Sequence, residues 1–271
     1  MKTLLNKYPT GLRFILAIIL FALALFLSGL INKGVVKVYF PYTSAILLGI
    51  ATWLLYKTDN KSLRAIGLNF SLRNISFLPL GVFIGAITFL ATKYARALYT
   101  GESFAITETV NYSNILYGLY IILPTVAVEE FLFRGYVFKK TIEKSNVIIA
   151  NVIFSILFML IHVFDENAMN NSGMMIFLII SIPVGHLLFA TALLKSKTLF
   201  FPIGIHLGNN WATQHIITDR QTGDSLLYIT NNASFDSWPA FIGFILIFNG
   251  VFLLMTLLIW KWNDFSFNKK T

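Results

Sequence analysis

Val128-Glu129-Glu130-Phe131-Leu132-Phe133-Arg134 sets two adjacent carboxylates and a guanidinium into an apolar stretch; no Asp, Glu, Lys, Arg or His occurs between Ile115 and Val128. An ionised side chain at the centre of a membrane helix costs at least ~3 kcal/mol unless it is paired or faces a polar cavity. The stretch therefore reads as a helix at membrane depth with its charged side turned inward. Glu130 and Arg134 stand at i and i+4, so they share a face and can pair. Glu129 points about 100° away around the helix, where Arg134 cannot neutralise it as directly. A salt bridge that merely orients helices would account for Glu130 and Arg134, but not for Glu129.

The rest of the chain supports a membrane setting. Of 271 residues, 56% are hydrophobic and only 12% charged, against about 25% charged in soluble domains. Mean hydropathy is +0.72. There are no cysteines, which excludes disulfides, thiolate metal sites and cysteine nucleophiles. The net charge of +9 comes from Lys and Arg in short segments between apolar runs. That distribution fits the positive-inside rule, and no basic face or recognition motif points to nucleic acid.

Apolar segments of about 20 residues predict membrane spans. Eight are expected, at roughly 12–31, 38–56, 75–98, 113–138, 146–164, 174–194, 199–217 and 238–260. The first run is too long for a signal h-region and lacks a small-x-small cleavage site, so it reads as a retained helix. The fold class is all-α: a polytopic membrane protein of about eight transmembrane helices, one domain over 1–271, with the active site inside the bundle. With the N-terminus inside, the inner segments hold Lys2, Lys7, Arg13, Lys57, Lys61, Arg64, Arg73, Lys139, Lys140, Lys144, Lys195, Lys197, Lys261, Lys269 and Lys270. The outer ones hold only Lys33, Lys37, Lys93, Arg96 and Arg220. This asymmetry puts both termini in the cytoplasm.

Two more polar points lie in apolar segments. Phe158-Met159-Leu160-Ile161-His162 places a histidine one turn after an aromatic ring, and His206-Leu207-Gly208-Asn209-Asn210 places an imidazole and an amide on one face. An amide donor beside a developing oxyanion is worth ~3–4 kcal/mol; the same residue types also serve as interhelical hydrogen bonding. His186, after Pro183 and Gly185, reads as packing, and His215 as interfacial. Glu166, at i+4 from His162, is a loop acid or a partner for that histidine. Counted at about 1.5 Å per residue, Glu129 lies about 15 Å from the cytoplasmic end, His206 about 12 Å and His162 about 25 Å. Straight helices with these limits cannot bring the three together unless the fourth ends near Arg134 or the fifth starts after Asn146.

In chain order, Glu129-Glu130 with Arg134, Phe158 with His162, and His206 with Asn210 match the Glu-Glu-x-x-x-Arg, Phe-x-x-x-His and His-x-x-x-Asn motifs of the CPBP family. That family comprises the type II CAAX prenyl endopeptidases and the Abi proteins. The resemblance covers about 113–215, the motif-bearing core. It implies an intramembrane endopeptidase in which Glu129 activates water with help from His162, His206 and Asn210 bind the oxyanion, and Glu130 and Arg134 form the supporting ion pair. It also implies a membrane-associated protein or peptide substrate, prenylated where CAAX processing is concerned. Glu129, His162 and His206 are equally candidates for a two-histidine, one-carboxylate site for a divalent metal such as zinc; spacing leaves metal-free and metal-assisted water activation open. A catalytically silent scaffold or immunity-type relative would carry the same fold. A proton-coupled transporter would use the same residue types, although the chain shows none of the internal repeats on which many transporters are built. No Gly-x-Ser-Gly or His-Glu-x-x-His is present, and Gly223-Asp224 lies in the stretch around Ile217–Ser237, which reads as a polar loop outside the membrane.

Overall fold

The computed structural model describes residues 9–231, 233, 235 and 237–265. Lys2, Lys7, Lys269 and Lys270, which enter the charge asymmetry, lie outside the described residues. The helices are α1 (Pro9–Ile31), α2 (Gly34–Tyr39), α3 (Thr43–Thr58), α4 (Leu72–Thr100), α5 (Tyr112–Arg134), α6 (Tyr136–Lys144), α7 (Val147–Val163), α8 (Glu166–Met169), α9 (Ser172–Ser196), α10 (Phe200–His215) and α11 (Trp238–Phe265). A 3₁₀ turn covers Leu63–Ile66. Among the described residues, five segments are long and apolar enough to cross a membrane: Thr10–Ile31, Leu72–Thr100, Tyr112–Lys144, Ser172–Ser196 and Trp238–Trp262. With 16, 17 and 16 residues, α3, α7 and α10 are shorter. The chain is an integral membrane protein of the all-α class.

Three expectations need correction. The second apolar segment does not run unbroken from 38: Gly34–Tyr39 is a separate short helix, and the longer one starts at Thr43. The residue before a proline is pushed out of the α region; Phe40, ahead of Pro41, has φ −141° and ψ 70°. The polar stretch after α10 is not a plain loop. It supplies β2 (Ile217–Thr218) and β3 (Leu227–Ile229), and β3 lies between β2, parallel to it, and β1 (Phe104–Ile106), antiparallel to it.

The third correction concerns depth. Helix α5 does end at Arg134, and α7 does start just after Asn146, yet neither limit is what brings the three residues level. The chain continues past Gly135 as α6, a second helix reaching Lys144. A side chain at 135 would meet the Phe131 carbonyl oxygen at 2.2 Å, so the break requires glycine. The α5–α6 rod packs antiparallel on α7, Phe138 against Phe154 (5.4 Å) and Phe133 against Phe158 (5.0 Å). One further turn along both helices reaches Glu129 and His162. Glu129 precedes Lys144 by as many residues as His162 follows Val147, about 22 Å in each case at 1.5 Å per residue.

A buried charge cluster holds α6 in place. Asp59, at the end of α3, pairs with Arg13 of α1 (2.9 Å) and Lys140 of α6 (2.8 Å), and accepts from the Tyr136 hydroxyl (3.0 Å). Lys61 and Glu143 add a peripheral pair at 2.8 Å. Desolvation alone would raise the Asp59 carboxyl. The hydrogen bonds from Lys140 and Tyr136, with the charges of Lys140 and Arg13, outweigh it and hold its pKa below the ordinary value.

Helices α4 and α10 cross at backbone contact. A Cβ on Gly85 would lie 1.9 Å from the Ile205 carbonyl oxygen, one on Gly208 2.0 Å from that of Val82, and one on Gly204 2.4 Å from that of Leu78. Gly81–Gly85 and Gly204–Gly208 are small-xxx-small pairs, which let membrane helices approach closely. This contact seats α10, the carrier of His206 and Asn210.

Candidate active site

The expected residues converge on one cavity of about 230 Å³, lined by Glu129, His162, His206 and Asn210 together with Phe158 and Asn209. Glu129 faces it from α5. Its Oε2 lies 3.7 Å from His206 Nε2 and has no hydrogen-bond partner within the protein. The carboxylate that Arg134 cannot neutralise directly is the one of the two that lines the cavity.

Glu130 is fully buried and its Oε1 serves two partners. Arg134 Nη1 donates to it at 3.1 Å and His206 Nδ1 at 2.9 Å. The ion pair anticipated from the i, i+4 spacing therefore has a third member, which spacing alone could not disclose. A carboxylate accepting from Nδ1–H sets the tautomer and ring direction of the histidine and directs Nε2 at Glu129.

Arg134 is as buried as its partner, and its plane is covered by aromatic rings. Its guanidinium carbon stands 4.1 Å from the Phe158 centroid and 5.1 Å from that of Phe189. A desolvated cation over an aromatic face gains ~2 kcal/mol or more, which offsets part of the cost of its burial. Phe158 also packs edge-on against His162 (4.7 Å), so the aromatic residue of one segment supports the arginine of another. Phe189 stacks on the His206 ring at 4.6 Å. Sequence reading does not single it out, because one phenylalanine among 26 carries no distinguishing signal.

His162 Nδ1 donates to the Phe158 carbonyl at 2.8 Å, which leaves Nε2 as the acceptor. Glu166 does not continue this face. Helix α7 stops at Val163, and Asp165 caps the separate α8, so the i, i+4 relation to His162 is lost. Asn210 accepts from Asn209 Nδ2 at 3.4 Å and keeps its own amide hydrogens to donate. His186 sits fully buried beside Phe138 and Phe158. His215 donates to the Asp224 carbonyl at the helix end.

Among the described residues, no group of three His, Asp or Glu side chains stands close enough to hold a metal ion. Glu129, His162 and His206 border one cavity without closing around a common point. The donor set as it stands does not fit a cation.

No curated protein and no solved structure matches the chain. Residues 111–212 match a family model, Type II CAAX prenyl endopeptidase Rce1-like. That segment starts just before α5 and ends within α10, so it contains Glu129, Glu130, Arg134, Phe158, His162, His206 and Asn210, and over it the chain is similar to the Rce1-like type II CAAX prenyl endopeptidases.

Proposed function

We propose that the protein is a membrane endopeptidase in which Glu129 activates a water molecule for attack on a peptide bond. The observation that carries this reading is the unequal state of the two neighbouring glutamates. Glu130 is fully buried with one oxygen shared by Arg134 and His206, whereas Glu129 lines the cavity, keeps a fifth of its side chain exposed, and has His206 Nε2 no nearer than 3.7 Å. A water held against the Glu129 carboxylate in the cavity gives up its proton to it as the water oxygen attacks the carbonyl carbon. His162 Nε2, an acceptor, orients that water. The oxygen of the tetrahedral intermediate takes hydrogen bonds from Asn210 Nδ2 and from His206 when its Nε2 carries a proton. Glu129 then returns its proton to the leaving amine. Glu130 holds His206 in the required orientation, and the Arg134 guanidinium pairs with the same Glu130 oxygen.

The substrate is a membrane-associated peptide or protein able to enter a cavity at membrane depth. Peptide turnover by purified Glu129→Gln, set beside thermal unfolding of the same sample, tests the assignment. Full turnover by that variant would refute it.

A further inference from the structure

The two ends of the site differ. Toward the end carrying the basic loops, the side chains beyond Glu130 are packed shut: Arg134, Tyr136, Phe138, His186, Leu199 and Phe201 are each at most 1% exposed. At the opposite end the catalytic cavity shares Phe177, Asn209 and Phe248 with a second cavity of about 610 Å³. Its wall is built from the C-terminal ends of α4 and α10 and the N-terminal ends of α9 and α11. Asn171, Thr213 and Asp219 at its rim are exposed. Lys93 and Arg96 line it, paired with Asp219 and Glu102. Ionised side chains line a water-filled passage rather than a surface for lipid tails.

We propose that the substrate reaches Glu129 through this second cavity from the extracytoplasmic side. The protein would then cut peptides, or membrane-anchored proteins, whose scissile bond is displayed outside the cytoplasm, and not a tail presented from within it. The proposal rests on the peptidase reading and on the Lys and Arg asymmetry, which sets the packed end against the cytoplasm.

The cysteine-free chain allows a clean test. Thr213→Cys places a thiol on the passage, and Ser145→Cys places one at the exposed turn between α6 and α7. A membrane-impermeant maleimide should label Thr213→Cys in intact cells and Ser145→Cys only in inverted vesicles, with denatured protein as the full-labelling control. Purified Thr213→Cys blocked with a bulky maleimide should lose at least tenfold in peptide cleavage, and blocked Ser145→Cys should not. Labelling of Thr213→Cys only from the cytoplasmic side, from both sides or from neither would overturn the proposal, as would unchanged cleavage after blocking. Labelling does not depend on turnover. The expected labelling in a protein that cleaves no peptide would remove the peptidase reading and leave the opening established. Reversed labelling in a protein silenced by Glu129→Gln would do the opposite.

Discussion

Glu129 and Glu130 are neighbours in the chain with opposite surroundings, and substitution should separate them. Glu129→Gln keeps shape and hydrogen bonding but removes the base. Cleavage should fall ~10²–10⁴-fold, with the unfolding midpoint unchanged. Glu130→Gln deprives the fully buried Arg134 of its charge partner and weakens the hold on His206. Breaking a buried pair costs ~3–5 kcal/mol, so that variant should lose stability first and activity as a consequence. Adding Arg134→Gln should recover part of the stability, because no unpaired charge remains. Destabilisation by Glu129→Gln, with silencing alone by Glu130→Gln, would reverse the two roles. Because the donor set does not close around a cation, cleavage should survive exhaustive dialysis against a chelator. Loss restored by stoichiometric zinc would instead make Glu129, His162 and His206 ligands.

At the level of elements, the crossing of α4 and α10 determines where His206 and Asn210 stand. Gly85→Ala would set a methyl group 1.9 Å from a backbone oxygen that has no freedom to retreat. Overpacking of this kind costs ~1–3 kcal/mol, and the displacement of α10 should lower turnover with it. Gly250→Ala in α11 meets nothing within 4 Å and should change neither quantity. Equal behaviour of the two variants, read by thermal unfolding and peptide cleavage, would show that the close crossing does not position the site. The small-xxx-small spacing at Gly81–Gly85 and Gly204–Gly208 is visible in the chain. What it cannot disclose is that these two pairs face one another.

Across the whole molecule, the Asp59 cluster ties α1, α3 and α6 together at the basic end. Asp59→Asn leaves Lys140, 7% exposed at its side chain, without its main partner and should cost about 3 kcal/mol. The sign of its pH dependence follows from the depressed carboxyl. The stabilisation is fully present above the ordinary value of 3.8 and is lost as pH falls below it through the folded value. Unfolding midpoints of wild type and Asp59→Asn should therefore differ at neutral pH and converge below that value. A gap that persists in acid would assign the loss to something other than this carboxylate. The charge asymmetry gives a further expectation at this scale: an alkaline phosphatase fused to the C-terminus should be inactive, and an active fusion would place that terminus outside the cytoplasm.

What the sequence by itself determined is local. Hydropathy over some twenty residues marks a helix that lipid can surround, and α4, α7, α9, α10 and α11 begin and end within a few residues of the apolar segments that predict them. An i, i+4 spacing names two side chains on one face, which is why the Glu130–Arg134 pair was legible and why Glu129 stood apart from it. Only the tertiary structure decided the lateral relations. Glu129 and His162 come level because α6 lengthens the rod on which Glu129 rides, and the apolar segment that predicts the fourth span stops at 138, because the lysines and the glutamate beyond it lower the hydropathy although Lys140 is buried against Asp59. The bond from His206 to Glu130, the Phe189 ring on His206, and the neighbouring cavities that share Phe177, Asn209 and Phe248 all depend on which faces of different helices meet. Periodicity and hydropathy describe one helix at a time, and backbone approach, ring contacts and open space between helices are properties of pairs.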